Sequence, residues 1–196
     1  MAQPTATRND MLDAIAFTDA SLHTAFPGTT GANEVAGGIP AYARQAITIN
    51  AAAGAIRALN AAVTFDVPGG GTTVRWVGFW DSATFLQTAP NGGATPKNFM
   101  CIASTDLIYS AAHGYVDTDK IVFYNGTPPS PLVEGTTYFV RDSATDSFKV
   151  AATAGGAAID LTTSASFGCV VCGIVEDAYA IQGTHQLSTA STSIPD

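Results

Sequence analysis

Three histidines, three cysteines and sixteen scattered carboxylates are the residues of this 196-residue chain whose chemistry could matter. His23, His113 and His185 each stand among Ser, Thr, Ala and Gly, with no carboxylate or thiol at ligand spacing. They read as loop or turn histidines bonded to backbone, and no metal or other cofactor is expected. Cys169-Val170-Val171-Cys172 is a CxxC. A zinc site normally sets such a pair against a second pair, and only Cys101 remains. A redox CxxC opens a helix after a strand. Here the pair lies in an apolar, β-branched run, where residues i and i+3 of a strand face opposite sides. Buried strand cysteines are the simpler reading. The alternative is a disulfide from Cys101 to Cys169 or Cys172, clamping the neck of a β-region, although a cytosolic birthplace keeps thiols reduced. Asp66 and Asp81, or Asp142 and Asp146, pair as acids only by proximity in sequence and read as turn residues. The chain has no GxSxG, no GxxxxGK[ST] and no GxGxxG. Pro68-Gly69-Gly70-Gly71 between two strands reads as a hairpin turn and not a phosphate cradle. Trp76, Phe79 and Trp80 could line a sugar-binding face, but a strand with aromatics on both sides is more simply core. No enzyme is expected.

Composition points the same way. Hydrophobic residues make up 46% of the chain, enough for a substantial core, and charged residues only 12%, about half the usual globular share of roughly 25%. A polar but weakly charged surface suits a protein packed into an assembly, where charge would have to be desolvated. The net charge is −8 and the eight bases are isolated in sequence, so no patch tracks a phosphate backbone and no nucleic-acid partner is expected. No apolar run approaches the roughly 20 residues of a membrane helix. The first residues, MAQPTATRND, carry no apolar signal-peptide core. The expectation is a chain made in the cytoplasm, with no membrane partner.

The elements that position these residues are mostly strands. Thr7-Arg8-Asn9-Asp10 offers N-cap residues for a short helix ending before Ser21, with Met11, Leu12, Ile15 and Ala16 as its apolar stripe. Residues 21–41 read as an ordered loop rich in Gly, Pro and Thr, long enough to be functional or held by a partner. Strands are predicted over 46–50, 55–59, 62–67 and 73–80, the last apolar on both faces near its end and therefore central. A hinge follows over 89–98. Beyond it, strands are predicted at 107–109, 120–124, 136–141, 147–151, 158–161 and 169–175, then at 179–181 and 184–187, before a Ser/Thr-rich tail. Short strands separated by turn signals argue for an antiparallel sandwich or barrel.

Two runs carry a resemblance: Ser21–Gln45 (SLHTAFPGTTGANEVAGGIPAYARQ) and Ala61–Leu86 (AAVTFDVPGGGTTVRWVGFWDSATFL). The short N-terminal helix, Ser21-Leu22-His23-Thr24 with its Pro-Gly loop, Tyr42-Ala43-Arg44-Gln45, Phe65-Asp66-Val67-Pro68 and Val77-Gly78-Phe79-Trp80 together resemble a family of bacteriophage tail-fibre-like or minor tail proteins common in phages of actinobacteria. Tyr179–Ile194 looks like the family's closing strand. In shorter relatives that strand follows soon after the WVGFW strand, whereas about 75 residues intervene here. The intervening part, Thr105–Phe167, resembles a separate phage-tail β-module through Ala112-His113-Gly114, Lys120–Tyr124, Glu134–Val140, Phe148-Lys149-Val150 and Gly155–Leu161.

The resemblance implies a virion location and no catalytic residues. The expected fold is mainly β: an N-terminal short helix plus an antiparallel β-sandwich domain, residues 1–98 and 176–196, with a second small β-domain, residues 99–175, inserted in it. The first would anchor to the particle and the second project from it. Interface candidates are Met11, Leu12 and Ile15 of the helix, Leu22, His23 and Phe26 of the loop, and Tyr42 and Arg44 after it. The expected partners are other virion structural proteins and further copies of the chain, a trimer being the usual fibre solution. Two alternatives remain open. One is a capsid decoration protein. The other is a host-surface carbohydrate-binding module with Tyr109, Tyr115 and Tyr124 as the surface-binding candidates, taking a glycan or receptor as partner.

Overall fold

The computed structural model describes residues 4–166, 168–188 and 191–193. In chain order its elements begin with α1 (Thr5–Asp13), β1 (Asp19–His23), β2 (Gln45–Ala46), β3 (Ile56–Ala58) and β4 (Val63–Val67). Then come β5 (Thr72–Val74), β6 (Trp76–Asp81), β7 (Thr84–Pro90), β8 (Met100–Ile102), β9 (Leu107–Tyr109) and β10 (Lys120–Tyr124). They finish with β11 (Thr137–Arg141), β12 (Ser147–Ala151), β13 (Val170–Gly173), β14 (Asp177–Tyr179), β15 (Gly183–Leu187) and β16 (Ser191–Ser193). The class is the expected one, mainly β with one short N-terminal helix, and the pairings between these strands are antiparallel. The chain forms two compact units, one from the chain up to Gly93 and from Val175 onward, the other from Ala94–Ile174. Residues 94–98, expected in the first domain, fall in the second unit, where Lys97 and Val171 exchange backbone hydrogen bonds of 2.8 and 3.0 Å.

In the first unit a four-stranded sheet runs β2-β1-β6-β7. β6 is central, as its apolar pattern predicts, and its first five residues are buried. One face of the β1–β6 pair carries Ala20, Leu22, Val77 and Phe79, which join Phe65 and Val67 in the core. The expected single strand over 73–80 is two strands. Arg75 divides them, and β5 pairs with β14 while β6 pairs with β1 and β7. The 68–71 turn is likewise no hairpin, since β4 pairs with β15 and β5 with β14. β7 ends at Pro90 and β8 begins at Met100, so the expected hinge over 89–98 holds strand only at residues 89–90 and an isolated bridge at Lys97, and the 46–50 strand shrinks to β2 plus an isolated Ile49–Leu59 bridge.

The helix also departs from its sequence pattern. Pro4 occupies the N-cap position, so Thr7 to Asp10 lie inside the helix; a proline's fixed φ is already close to helical. Leu12 is its only buried residue and Met11 is exposed. Polar contacts hold α1 to its own chain. Asn9 Oδ1 accepts from Ala55 N–H and Asp13 Oδ1 from Ala52 N–H, each at 2.8 Å. Arg57 Nη1 donates to the Leu12 and Ile15 carbonyls at 2.8 and 2.7 Å. A guanidinium on orphan carbonyls at a helix C-terminus is favourable both as a hydrogen-bond donor and toward the helix dipole.

The second unit is a six-stranded sheet, β13-β10-β11-β12-β9-β8. The β11–β12 hairpin forms as expected, with Val140 opposite Val150. The 158–161 strand reduces to a bridge between Ala151 and Ala158. Strand alternation points Ile121, Phe123, Tyr138, Val140, Phe148 and Val150 into one core. Phe167 and Ile194, which bound two of the resembling runs, lie outside the described residues.

Candidate functional site

The second face of the β1–β6 pair holds the densest polar cluster of the first unit. Ser21 and His23 alternate with the core residues Ala20 and Leu22, so both point to this face, and the register sets Ser21 opposite Gly78. Ser21 Oγ lies 2.7 Å from His23 Nε2, and His23 Nδ1 lies 2.7 Å from the Ala32 carbonyl. Trp80 Nε1 donates to Ser21 Oγ at 2.7 Å. The protons follow from the acceptors. A carbonyl only accepts, so Nδ1 carries the hydrogen, Nε2 is the acceptor, and Ser21 donates to it while accepting from the indole. The run is indole N–H to hydroxyl to imidazole to carbonyl.

A serine bonded to a histidine is also how a nucleophile is activated. Burial decides otherwise here: Ser21 and His23 both have 0% relative exposure. The Ser21 hydroxyl is also held between two ring nitrogens. Desolvation lowers the His23 pKa, keeping the imidazole neutral as the relay requires. The relay is a structural pin. It fixes the loop after β1 onto the sheet, with the Phe26 ring edge-on to Trp76 at 4.9 Å. That loop, expected to be functional or held by a partner, is bonded to the sheet of its own chain.

Glycines make the pin possible. A Cβ on Gly78 would stand 2.5 Å from both His23 Nε2 and Ser21 Oγ, and one on Gly31 would stand 2.5 Å from the Trp80 ring. Beside the relay, Arg44 and Glu34 form a two-toothed ion pair, Nε to Oε1 at 2.9 Å and Nη2 to Oε2 at 2.8 Å. The Arg44 guanidinium carbon sits 3.3 Å from the Trp80 ring centroid, a cation–π stack. Tyr42 Oη accepts from Leu22 N–H at 2.8 Å, and burial raises its phenol pKa.

These positions correct the expected interface set. Leu12, Leu22 and His23 are buried in their own unit, because α1 and β1 pack on it. Ile15 and Tyr42 pack against the same core, Phe26 on Trp76, and Arg44 on Trp80. Met11 alone of that set is exposed as a large apolar side chain. In the second unit, Tyr124 is buried on β10, where its neighbours remove it from solvent, and it is no surface-binding residue. Tyr115 is half-buried, stacked on His113 at 5.4 Å and edge-on to Phe148 at 5.7 Å. Tyr109 does reach the surface, beside Met100 opposite it on β8.

The other candidates for chemistry are equally committed. Cys101, Cys169 and Cys172 are free and buried. Burial pushes the Cys169 and Cys172 thiols up to about 12 and raises Cys101. Tyr179 Oη lies 3.0 Å from His185 Nδ1, and Asp177 accepts from Asn91 Nδ2 at 2.8 Å. Desolvation lowers the pKa of His185, which is buried like His23. Among the described residues no group of His, Cys, Asp and Glu is arranged to hold a metal ion.

Among the described residues, Ile39 and Ile181 are the most exposed large apolar side chains. Ile39 lies in a Gly- and Pro-flanked loop, and Ile181 ends the strand expected over 179–181 but lies beyond β14. Their exposures are 93% and 81%.

Residues 5–95 match the model of the family described as Podophage GP4 fiber I protein gp80. No curated protein and no solved structure matches the chain.

Proposed function

We propose that this chain is a structural, non-enzymatic component of a phage particle, of the tail-fibre kind. The observation that carries the reading is the family match over residues 5–95, which takes in α1 and β1 to β7. The site geometry agrees with it. The Ser21–His23 pair is a buried pin and not an exposed nucleophile. In this reading the first unit docks on other virion proteins and associates with further copies, and the second is an inserted module that projects outward.

Insertion is favoured by where the chain leaves and rejoins the first unit. Val175 N–H donates to the Asn91 carbonyl at 2.9 Å, and Asn91 Nδ2 donates to the Val175 carbonyl at 3.2 Å. Exit and re-entry are adjacent, which is the condition for inserting a domain without disturbing its host. Replacing residues 94–174 with a short Gly-Ser linker is therefore expected to leave the melting of the first unit intact. Loss of its folding would show that the two units are one cooperative body.

Location is the direct test. Immunogold labelling and peptide mass spectrometry of purified particles are expected to find the chain on the tail. Labelling over the capsid would favour a decoration protein, and a chain present only in the soluble lysate would overturn the virion reading. A glycan-binding role rests on Tyr109 alone of the three tyrosines offered, and a glycan array without hits would exclude it.

A further inference from the structure

The chain has two Asn-Gly dipeptides, Asn91-Gly92 and Asn125-Gly126. Such a pair can react with itself. Glycine has no side chain to shield its amide nitrogen, and its backbone reaches conformations closed to other residues. The nitrogen can then attack the carbonyl carbon of the asparagine side chain. The freedom of that side chain decides the rate, and it separates the two pairs.

Asn91 is held. It is 3% exposed, and its Nδ2 donates to Asp177 Oδ2 at 2.8 Å and to the Val175 carbonyl at 3.2 Å. Its N–H donates to the Arg75 carbonyl at 2.8 Å and its carbonyl accepts from Val175 N–H at 2.9 Å. Attack there has to break bonds between buried groups. Asn125 stands one residue past the end of β10, exposed to solvent and with a φ of 63°. Its side-chain amide has no hydrogen bond among the described residues. The attacking nitrogen of this pair, Gly126 N, donates to Glu134 Oε1 at 3.1 Å. A carboxylate therefore already holds the hydrogen that the nitrogen must lose, the position of a general base.

We propose that Asn125-Gly126 is a site of spontaneous deamidation with Glu134 as its base. Gly126 N bonds to Asn125 Cγ as its proton passes to Glu134. The Cγ–Nδ2 bond breaks, and Nδ2 takes that proton and leaves as ammonia. Water then opens the cyclic imide at either carbonyl, giving aspartate or isoaspartate at position 125. Both products add a negative charge beside Glu134. Isoaspartate also lengthens the main chain by one carbon where Gly126 is closely packed, since a Cβ there would stand 2.8 Å from Ser166 Oγ and 2.9 Å from Cys169 N. The reaction needs water alone and is independent of what the chain docks on.

The test is peptide mass spectrometry of the full native chain, held in warm, mildly alkaline buffer and sampled over time. Asn125 is expected to convert to aspartate and isoaspartate, and Asn91 about 10-fold more slowly or less, the factor that one or two net hydrogen bonds supply. In urea both are expected to convert at similar rates. A native chain whose Asn125 stays intact while the unfolded chain converts overturns the site. Equal native rates at Asn91 and Asn125 overturn the selection by structure. The base has its own reading. With a resident carboxylate, the native rate at Asn125 is expected to stay nearly level across mildly alkaline pH, and Glu134→Gln is expected to slow it severalfold. A native rate that rises in proportion to hydroxide, or a Glu134→Gln chain that melts like the natural one and converts as fast, overturns the part given to Glu134.

Discussion

Gly78→Ala is the sharpest perturbation of the first unit. The added methyl would stand 2.5 Å from His23 Nε2 and Ser21 Oγ and 2.8 Å from Phe85 Cε2. Ser21 and His23 are fully buried, so neither has room to retreat. Ser21 and His23 sit on the neighbouring strand β1, and Phe85 sits on β7, the strand on the other side. Overpacking of a buried site costs about 1–3 kcal/mol. Separating Ser21 from His23 leaves a buried donor or acceptor unsatisfied, adding about 1–3 kcal/mol. The expected loss is therefore about 2–6 kcal/mol, or a fall in Tm of about 8–24 °C at roughly 4 °C per kcal/mol for a unit of this size. The assay is intrinsic fluorescence, because both tryptophans, Trp76 and Trp80, lie in the first unit. Gly173→Ala is the control. A Cβ there would meet its nearest atoms at 3.6 Å or beyond, in the second unit, so the tryptophan transition should not move. A Gly78→Ala protein that melts within about 2 °C of the natural chain, below what one unsatisfied buried group costs, would refute the claim that the relay is a tightly packed pin.

The remaining expectations use the same probe or a simple chemical one. Burial lowers the pKa of His23 and His185 from the ordinary 6.5. The unfolded chain therefore binds more protons just below that value, and stability is full above about pH 6.5 and declines as pH falls, by up to about 1.4 kcal/mol per pH unit for each histidine. The urea midpoint of the tryptophan transition should be lower at pH 5.5 than at pH 7.5; equal midpoints would contradict it. Arg57→Met removes a charged donor from the Leu12 and Ile15 carbonyls, at a cost of about 3–6 kcal/mol to the docking of α1. Faster tryptic cleavage after Arg8 should report it. With all three thiols buried and their pKa values raised, a disulfide-exchange reagent should label none quickly in the native chain and three in denaturant. A reductant should leave Tm unchanged.

The mainly-β class was legible because alternation survives in short strands. Val63, Phe65 and Val67 mark β4, and Ser147–Ala151 marks β12, without any long-range information. What failed was pairing. Pro68-Gly69-Gly70-Gly71 has the composition of a hairpin turn, yet the strands on either side of it find partners in β15 and β14, more than a hundred residues away. Local turn chemistry fixes where a chain changes direction, not which strand it meets next. The short N-terminal helix is present, but its expected apolar face is not what docks it, for a related reason. Met11, Leu12 and Ile15 are spaced as a stripe, but only Leu12 is buried within α1, and polar contacts from Ala52, Ala55 and Arg57, remote in sequence, do the docking.

The motif residues pack on one another. Ser21, His23, Tyr42, Arg44, Gly78 and Trp80 belong to the motifs that carry the family resemblance, and the structure bonds or stacks them on one another. Such a set is constrained as a unit: a larger residue at Gly78 displaces Ser21, and loss of Ser21 strands both the Trp80 indole and the His23 imidazole. Residues bound to each other in this way carry a scaffold from one sequence to another and say nothing about what its surface touches. It follows that the match over residues 5–95 bears on how the first unit is built, and that what the unit binds has to be read from exposed residues outside the relay. Ile39 and Ile181 are such residues. Gly78→Ala, by contrast, should lower melting whatever the chain is bound to.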